Sequence, residues 1–289
     1  MVKQIAIIGV GLIGGSLARA LRAAGYVDEI LGAGRSTKNL ELAVELGVID
    51  GFGSVSDVVG SADLVVIGAS LGATHAVLEE LAPHLNSHAV VTDVGSTKAT
   101  VVDAARQKLG ANFPRFVPGH PIAGTEQSGV GASFAELFVD HKVILTPLDE
   151  TEPTAVDMVK QMWTAAGASV ISMPVDVHDR ALAATSHLPH LLAFNLVDTL
   201  VRGEDGEDIF ALAAGGFRDF SRIASSNPGM WADIAIANRD ALLAVSREFE
   251  SRFNELLVAL ENGDRAQLER IFEHAKAVRD RCVVPESKA

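Results

Sequence analysis

Apolar and polar positions divide the chain into two differently patterned parts. Through the first half, short runs rich in β-branched residues alternate with segments of helical periodicity, the pattern of a parallel sheet covered on both faces. Ile5-Ala6-Ile7-Ile8-Gly9 reads as the first strand, and a helix follows over residues 14–24, closed by Gly25. Residues 30–32 form a second strand, and Thr37 is placed to cap a helix reaching Leu46. Leu64-Val65-Val66-Ile67 and Ala89-Val90-Val91-Thr92 read as two further buried strands. Arg115-Phe116-Val117, Lys142-Val143-Ile144-Leu145 and Ser169-Val170-Ile171 are expected to continue the same sheet. Near Pro174 the alternation stops. Trp231, Ile234, Asn238, Leu242, Val245, Phe249, Phe253, Leu256 and Leu260 recur every three to four residues, predicting one long amphipathic helix with Asn238 as its polar break. Gly263-Asp264 then caps a final helix from Arg265 to about Arg281. The expected fold is α/β: a doubly wound parallel sheet over residues 1–173, then an all-helical part over 174–289. The many small and branched apolar residues of that second part predict burial against a second copy, a homodimer through the C-terminal helices.

Composition narrows the function classes. With 289 residues, 48% hydrophobic and 21% charged, the chain can bury a sizeable core. Its 24 Lys and Arg against 37 Asp and Glu leave a net charge of −13, which disfavours nucleic acid and anionic membranes as partners. An anionic small-molecule substrate requires a local cationic pocket. Cys282 is the only cysteine, so an intramolecular disulfide and a thiolate metal cluster are excluded. His75, His84, His88, His141, His178 and His274 show no metal-ligand spacing with Asp, Glu or Cys, and no metal is expected. No apolar run reaches the ~20 residues of a spanning helix, and a cytoplasmic location is expected.

Gly9-Val10-Gly11-Leu12-Ile13-Gly14 leaves the first strand and opens the first helix, the context that a Gly-x-Gly-x-x-Gly pattern requires for dinucleotide binding. Gly9 allows the tight turn, Gly11 the approach of the pyrophosphate, and Gly14 the close strand–helix contact. The helix start at Leu12 and Ile13 offers unpaired N–H groups to the phosphates. This part is therefore Rossmann-type. Counting 20 residues from Gly14 reaches Gly34, where an NAD site usually carries an acid for the ribose hydroxyls. Arg35, Ser36 and Thr37 stand there instead, suited to a 2′-phosphate, so NADP is expected over NAD.

Four further segments carry polar residues where such a sheet presents its ligand edge. They are Thr92-Asp93-Val94-Gly95-Ser96-Thr97-Lys98, Gly119-His120-Pro121-Ile122-Ala123-Gly124-Thr125-Glu126, Ser186-His187-Leu188-Pro189-His190 and Phe217-Arg218-Asp219-Phe220-Ser221-Arg222. In this order and spacing, with the glycine loop, they resemble the prephenate/arogenate dehydrogenase family. The resemblance implies oxidative decarboxylation of prephenate, or of arogenate, with hydride transfer to NADP or NAD. It implies that His120 takes the proton of the substrate hydroxyl, that Ser96 orients His120 and contacts the nicotinamide, and that Arg222 grips a substrate carboxylate. Thr125, Ser186, His187 and His190 then fall on the substrate side; Ser70 is expected on the cofactor side, although Ala69-Ser70-Leu71 departs from the proline the family often carries there. His178 and Asp179 are brought near the pocket by the same resemblance. An acid at the far end of the substrate would favour the amine of arogenate; Glu126, Asp179 and Asp219 are the candidates. Competing readings are a β-hydroxyacid dehydrogenase or imine reductase, disfavoured because residues 181–201 hold no lysine, and a non-catalytic NADP sensor.

Overall fold

The computed structural model describes residues 2–125, 127–204 and 206–282. Strands β1 (Val2–Ile8), β2 (Val27–Ala33), β3 (Gly51–Phe52), β4 (Leu64–Ile67), β5 (Val90–Asp93) and β6 (Phe116–Val117) form one sheet in the order β3-β2-β1-β4-β5-β6. All its neighbouring strands are parallel. Helices α1 (Leu12–Ala23), α2 (Thr37–Glu45) and α6 (Pro153–Ala165) cover one face; α3 (Val55–Val59), α4 (Leu71–Leu81) and α5 (Ala99–Lys108) cover the other. Ile5 and Ile7 of β1 enter the first core, whereas Ala6 and Ile8 enter the second. Burial on both faces is why these strands read as unbroken apolar runs. The chain moves outward from β1 to β3 and returns to β4 beside β1. That reversal leaves a crevice at the C-terminal ends of β1 and β4, the place where such sheets bind ligands.

Two of the expected strands do not continue this sheet. β7 (Gly119–Pro121), β8 (Lys142–Leu145) and β9 (Ser169–Ser172) form a separate three-stranded sheet, with β7 antiparallel to β8 and β8 parallel to β9. Pro118 between β6 and β7 has no N–H to extend the first ladder, and Pro121 suits β7 to the edge it occupies. The cap of α2 also differs from expectation: Ser36, not Thr37, accepts the Asn39 N–H at 3.3 Å, and Thr37 is the first helical residue.

Beyond β9 the chain is helical: α7 (Val175–Leu182), a π turn (Ala183–His187), α8 (Leu188–Val201), α9 (Gly215–Ser221), α10 (Pro228–Ala237), α11 (Arg239–Glu261) and α12 (Arg265–Cys282). The single long helix expected from Trp231 to Leu260 is two helices, because Asn238 ends α10 and turns its side chain inward. One compact unit runs to Leu242; the second, from Leu243 onward, holds the rest of α11 and α12. In that second unit Asp264 Oδ1 accepts the Gln267 N–H at 2.9 Å, capping α12 as expected. Among the described residues, no helix is long and apolar enough to cross a membrane.

Candidate active site

The glycine loop at the C-terminal end of β1 uses its three glycines differently. Gly9 has φ +102°, and a Cβ there would lie 2.6 Å from the Gly68 carbonyl at the end of β4. At Gly14 a Cβ would meet the Gly9 oxygen at 2.5 Å. Around Gly11 nothing lies within 4 Å, so the loop leaves an open cradle where a pyrophosphate would approach. Gly11 caps α1 with no side chain, and the first-turn N–H groups of Leu12, Ile13 and Gly14 have no intrahelical acceptor. The residues present therefore fit a dinucleotide. Asn39, which sequence reasoning missed, holds the loop: its Nδ2 donates to the Val10 carbonyl at 2.7 Å and its Oδ1 accepts from Val130 N at 3.2 Å. Gly34 follows the last residue of β2 directly, and Arg35 and Ser36 are exposed beside it. Ser70 is exposed at the start of α4, one residue beyond the Gly68-Ala69 segment that packs on Gly9.

A buried polar network lies at the neighbouring strand ends. Asp93, the last residue of β5, accepts from Gly95 N at 2.8 Å and Gly119 N at 3.1 Å, and forms an ion pair with Lys98 Nζ. Lys98 is fully buried and also donates from Nζ to the Gly119 carbonyl at 2.6 Å, which joins β5 to β7 immediately before His120. Burial pulls the Lys98 ammonium below its ordinary value, opposed by the Asp93 carboxylate. His120 is 8% exposed, and its Nδ1 lies 2.9 Å from Nε2 of His178 on α7. His178 Nδ1 lies 2.7 Å from Asp179 Oδ1. The Asp179 carboxylate in turn accepts the N–H groups of Lys98 at 2.8 Å and Ala99 at 2.9 Å, at the start of α5. Burial opposes its charge, yet the hydrogen bonds from His178, Ala99 and Lys98 hold Asp179 below the usual carboxylate value. Desolvation, with Lys98, His178 and His187 nearby, pushes His120 well below the usual imidazole value. His120 is thus a neutral imidazole at pH 7. Its hydrogen-bond partner is His178, where Ser96 was expected; Ser96 is half-buried on the β5–α5 connection.

The histidines after α7 form the adjoining wall. Pro189 lacks an N–H and its ring conflicts with the carbonyl four residues back, so the helix widens into the π turn before α8. This turn buries His187, whose Nδ1 lies 3.0 Å from Asn238 Nδ2; the same amide donates to the Asp179 carbonyl at 2.8 Å. Because Nδ2 can only donate, His187 Nδ1 accepts and its proton sits on Nε2. Desolvation lowers His187 to about 4. His190 donates from Nδ1 to the Ser186 carbonyl at 3.0 Å and stacks on Trp231, ring centroids 3.5 Å apart. Burial lowers His190 below its ordinary value, and the nearby Arg222 cation acts in the same direction. Arg222 follows α9 in a short 3₁₀ turn and is exposed. Thr125 is also exposed; its hydroxyl accepts from Gln127 N at 3.2 Å. Glu126 lies outside the described residues. A cavity of about 190 Å³ is lined by His187, His190, Phe194, Trp231 and Leu242 among others, and among the described residues no acid lies in its wall. His187 Nε2 and Trp231 Nε1 are buried without a partner, two donors from residues that line the cavity.

A doubly wound sheet with an open glycine cradle, beside a buried neutral histidine and a cavity walled by His187, His190 and Trp231, defines a pyridine-nucleotide-dependent oxidoreductase. Family models narrow the class: residues 17–172 match the prephenate dehydrogenase nucleotide-binding domain and residues 174–274 its dimerization domain. The chain belongs to the prephenate dehydrogenase family. It is 36% identical to the cyclohexadienyl dehydrogenase of Zymomonas mobilis, over 96% of this chain and 95% of that protein. It is 38% identical to the prephenate dehydrogenase of Bacillus subtilis, over 97% of this chain and 76% of that protein. A. aeolicus prephenate dehydrogenase, solved in complex with hydroxyphenyl propionate and NAD+, superposes with a TM-score of 0.90 at 36% identity, covering 96% of this chain and 98% of that one.

Proposed function

We propose that the chain oxidises and decarboxylates prephenate in the cytoplasm as a homodimer, with His120 as the catalytic base. The observation that carries this reading is the pairing of a buried, neutral His120 with a cavity two of whose lining residues, His187 and Trp231, hold buried donors without partners. A buried donor left unpaired costs about 1–3 kcal/mol, and an oxygen-rich anion removes that cost. The bound nucleotide supplies the hydride acceptor. His120 Nε2 takes the proton of the ring C4 hydroxyl as the C4–H bond gives up its hydride. The C4 carbonyl so formed draws the electron pair of the breaking C1–carboxylate bond through the ring. CO2 leaves, and the phenolate oxygen recovers the proton from His120, so no net proton is consumed. Arg222, with its planar pair of donors, and the His187 Nε2–H hold substrate carboxylates. Thr125, Ser186 and His190 complete the substrate side, and Ser96 and Ser70 border the nucleotide.

Prephenate is favoured over arogenate because the extra ammonium of arogenate calls for a carboxylate. The cavity wall has none among the described residues, and Asp179 is committed to His178 and two backbone N–H groups. NADP is favoured over NAD because no acid follows β2, where Arg35 and Ser36 face solvent. An absorbance assay at ~340 nm, crossing both substrates with both nucleotides, tests the reading through four values of kcat/KM. Prephenate with NADP is expected to be highest. Absence of reduction in all four, from folded protein that still binds nucleotide, would overturn it.

A further inference from the structure

The chain of contacts from Asp179 through His178 to His120 fixes more than a position. A carboxylate only accepts hydrogen bonds, so the 2.7 Å contact to Asp179 Oδ1 puts a proton on His178 Nδ1. The Asp179 carboxylate cannot turn away, because the Lys98 and Ala99 N–H groups hold its two oxygens separately. A His178 ring carrying that one proton presents a bare Nε2, 2.9 Å from His120 Nδ1. His120 must donate there, which leaves the lone pair on its own Nε2. We propose that His178 and Asp179 are positioning residues that set the tautomer of His120, so that its Nε2 is the proton-accepting atom. This rests on the assignment of His120 as the base and deepens it.

The arrangement also accounts for where positive charge goes once His120 is protonated. The imidazolium keeps its Nδ1–H bond to His178, and the Asp179 carboxylate lies one ring further along. Lys98 does not oppose this fully, because its charge is paired with Asp93. His178 is fully buried and stands edge-on to His120, with ring centroids 5.1 Å apart at 65°, so it fixes the direction of the His120 ring as well as its proton. A histidine between carboxylate and base lengthens the familiar carboxylate–imidazole pair by one ring, in a site where backbone N–H groups at the start of α5 hold the acid.

The direct test is nitrogen NMR of protein labelled with ¹⁵N-histidine, with His120 assigned by loss of its signals in His120→Gln. The expected spectrum at neutral pH has His120 protonated on Nδ1 and bare on Nε2; the reverse would overturn the proposal. In Asp179→Ala the acceptor at His178 Nδ1 is gone, and the His120 signals are expected to change from one tautomer to a mixture of both; an unchanged spectrum would overturn the proposal. Neither spectrum needs turnover, so failure here is separable from failure of the prephenate reading. Kinetics supply a second readout. His178→Leu is expected to lower kcat about 100-fold or more, in the range that a misdirected base costs. KM and nucleotide Kd should stay within about threefold, as for a loss felt only in the transition state. His178→Gln, which keeps an acceptor, should recover part of kcat. An unchanged kcat in His178→Leu, or a loss confined to KM, would overturn the proposal.

Discussion

At the scale of the residue, His187 carries a consequence for stability. Its folded-state value of about 4 lies well below the usual 6.5, because burial penalises the charged ring. Between those values the unfolded chain binds a proton that the folded chain does not. Stability is therefore fully present above pH 6.5 and declines as pH falls toward 4, by up to about 3 kcal/mol from this group. His120, also lowered, acts in the same sense. Denaturation curves at pH 7.5 and 5 should show a steeper loss in the wild type than in His187→Gln; equal losses would refute the assignment. In catalysis the same sign holds. Only the neutral ring accepts a proton, so the acid limb of kcat/KM should lie below pH 6.5, and a limb above that pH would show a base other than His120 as buried beside Lys98, His178 and His187.

Single elements separate what holds the fold from what holds the ligand. Gly11→Ala should leave the unfolding midpoint nearly unchanged, because no protein atom lies within 4 Å of the added carbon. Nucleotide affinity should fall tenfold or more, since that space is where the pyrophosphate comes closest. Titration calorimetry and a thermal melt on one preparation test both halves. Lys98→Met attacks the β5–β7 junction: it strands the buried Asp93 carboxylate and should cost about 3–5 kcal/mol in denaturant unfolding, partly recovered by adding Asp93→Asn. A loss under about 1 kcal/mol would show that the ion pair does not hold the junction. Much of this element-level picture is legible in the sequence. The strands of the large sheet are buried on both faces and read as apolar runs, and the glycine spacing marks the loop. The smaller sheet is not legible, because the runs at β8 and β9 do not say which ladder they join. That choice depends on Pro118 and on the Asp93–Lys98–Gly119 link, whose members come together only after folding. The resemblance brings His178 near the pocket, but its contact with His120, 58 residues away, forms only in the folded chain. Asn238 was visible as a gap in a periodic stripe, but the stripe could not show a helix end whose amide joins His187 to Asp179. Trp231 fitted the stripe as a core residue, whereas it stacks on His190 in a cavity wall.

At the scale of the whole molecule, the question is what covers the apolar surface of a single chain. In the unit from Leu243 onward, Phe249, Phe253, Leu257 and Leu260 are all exposed and follow one another at helical spacing along α11. Phe249 and Phe253 stack with ring centroids 6.0 Å apart, which pre-orders part of that stripe. A run of four large apolar side chains in water is the signature of an association surface, and a surface shared by identical chains closes most simply with twofold symmetry. The stripe falls within the region matched by the dimerization-domain model. The net charge of −13 argues in the opposite direction, since it opposes bringing two copies together and leaves burial of the stripe to supply the attraction. Light scattering coupled to gel filtration should therefore give twice the 30.4 kDa chain mass, with the dimer holding at low salt as well as high. Paired substitutions Phe253→Asp and Leu257→Asp should shift the protein to monomer. A wild-type mass of one chain at micromolar concentration, or an undisturbed dimer after both substitutions, would remove this face from the interface.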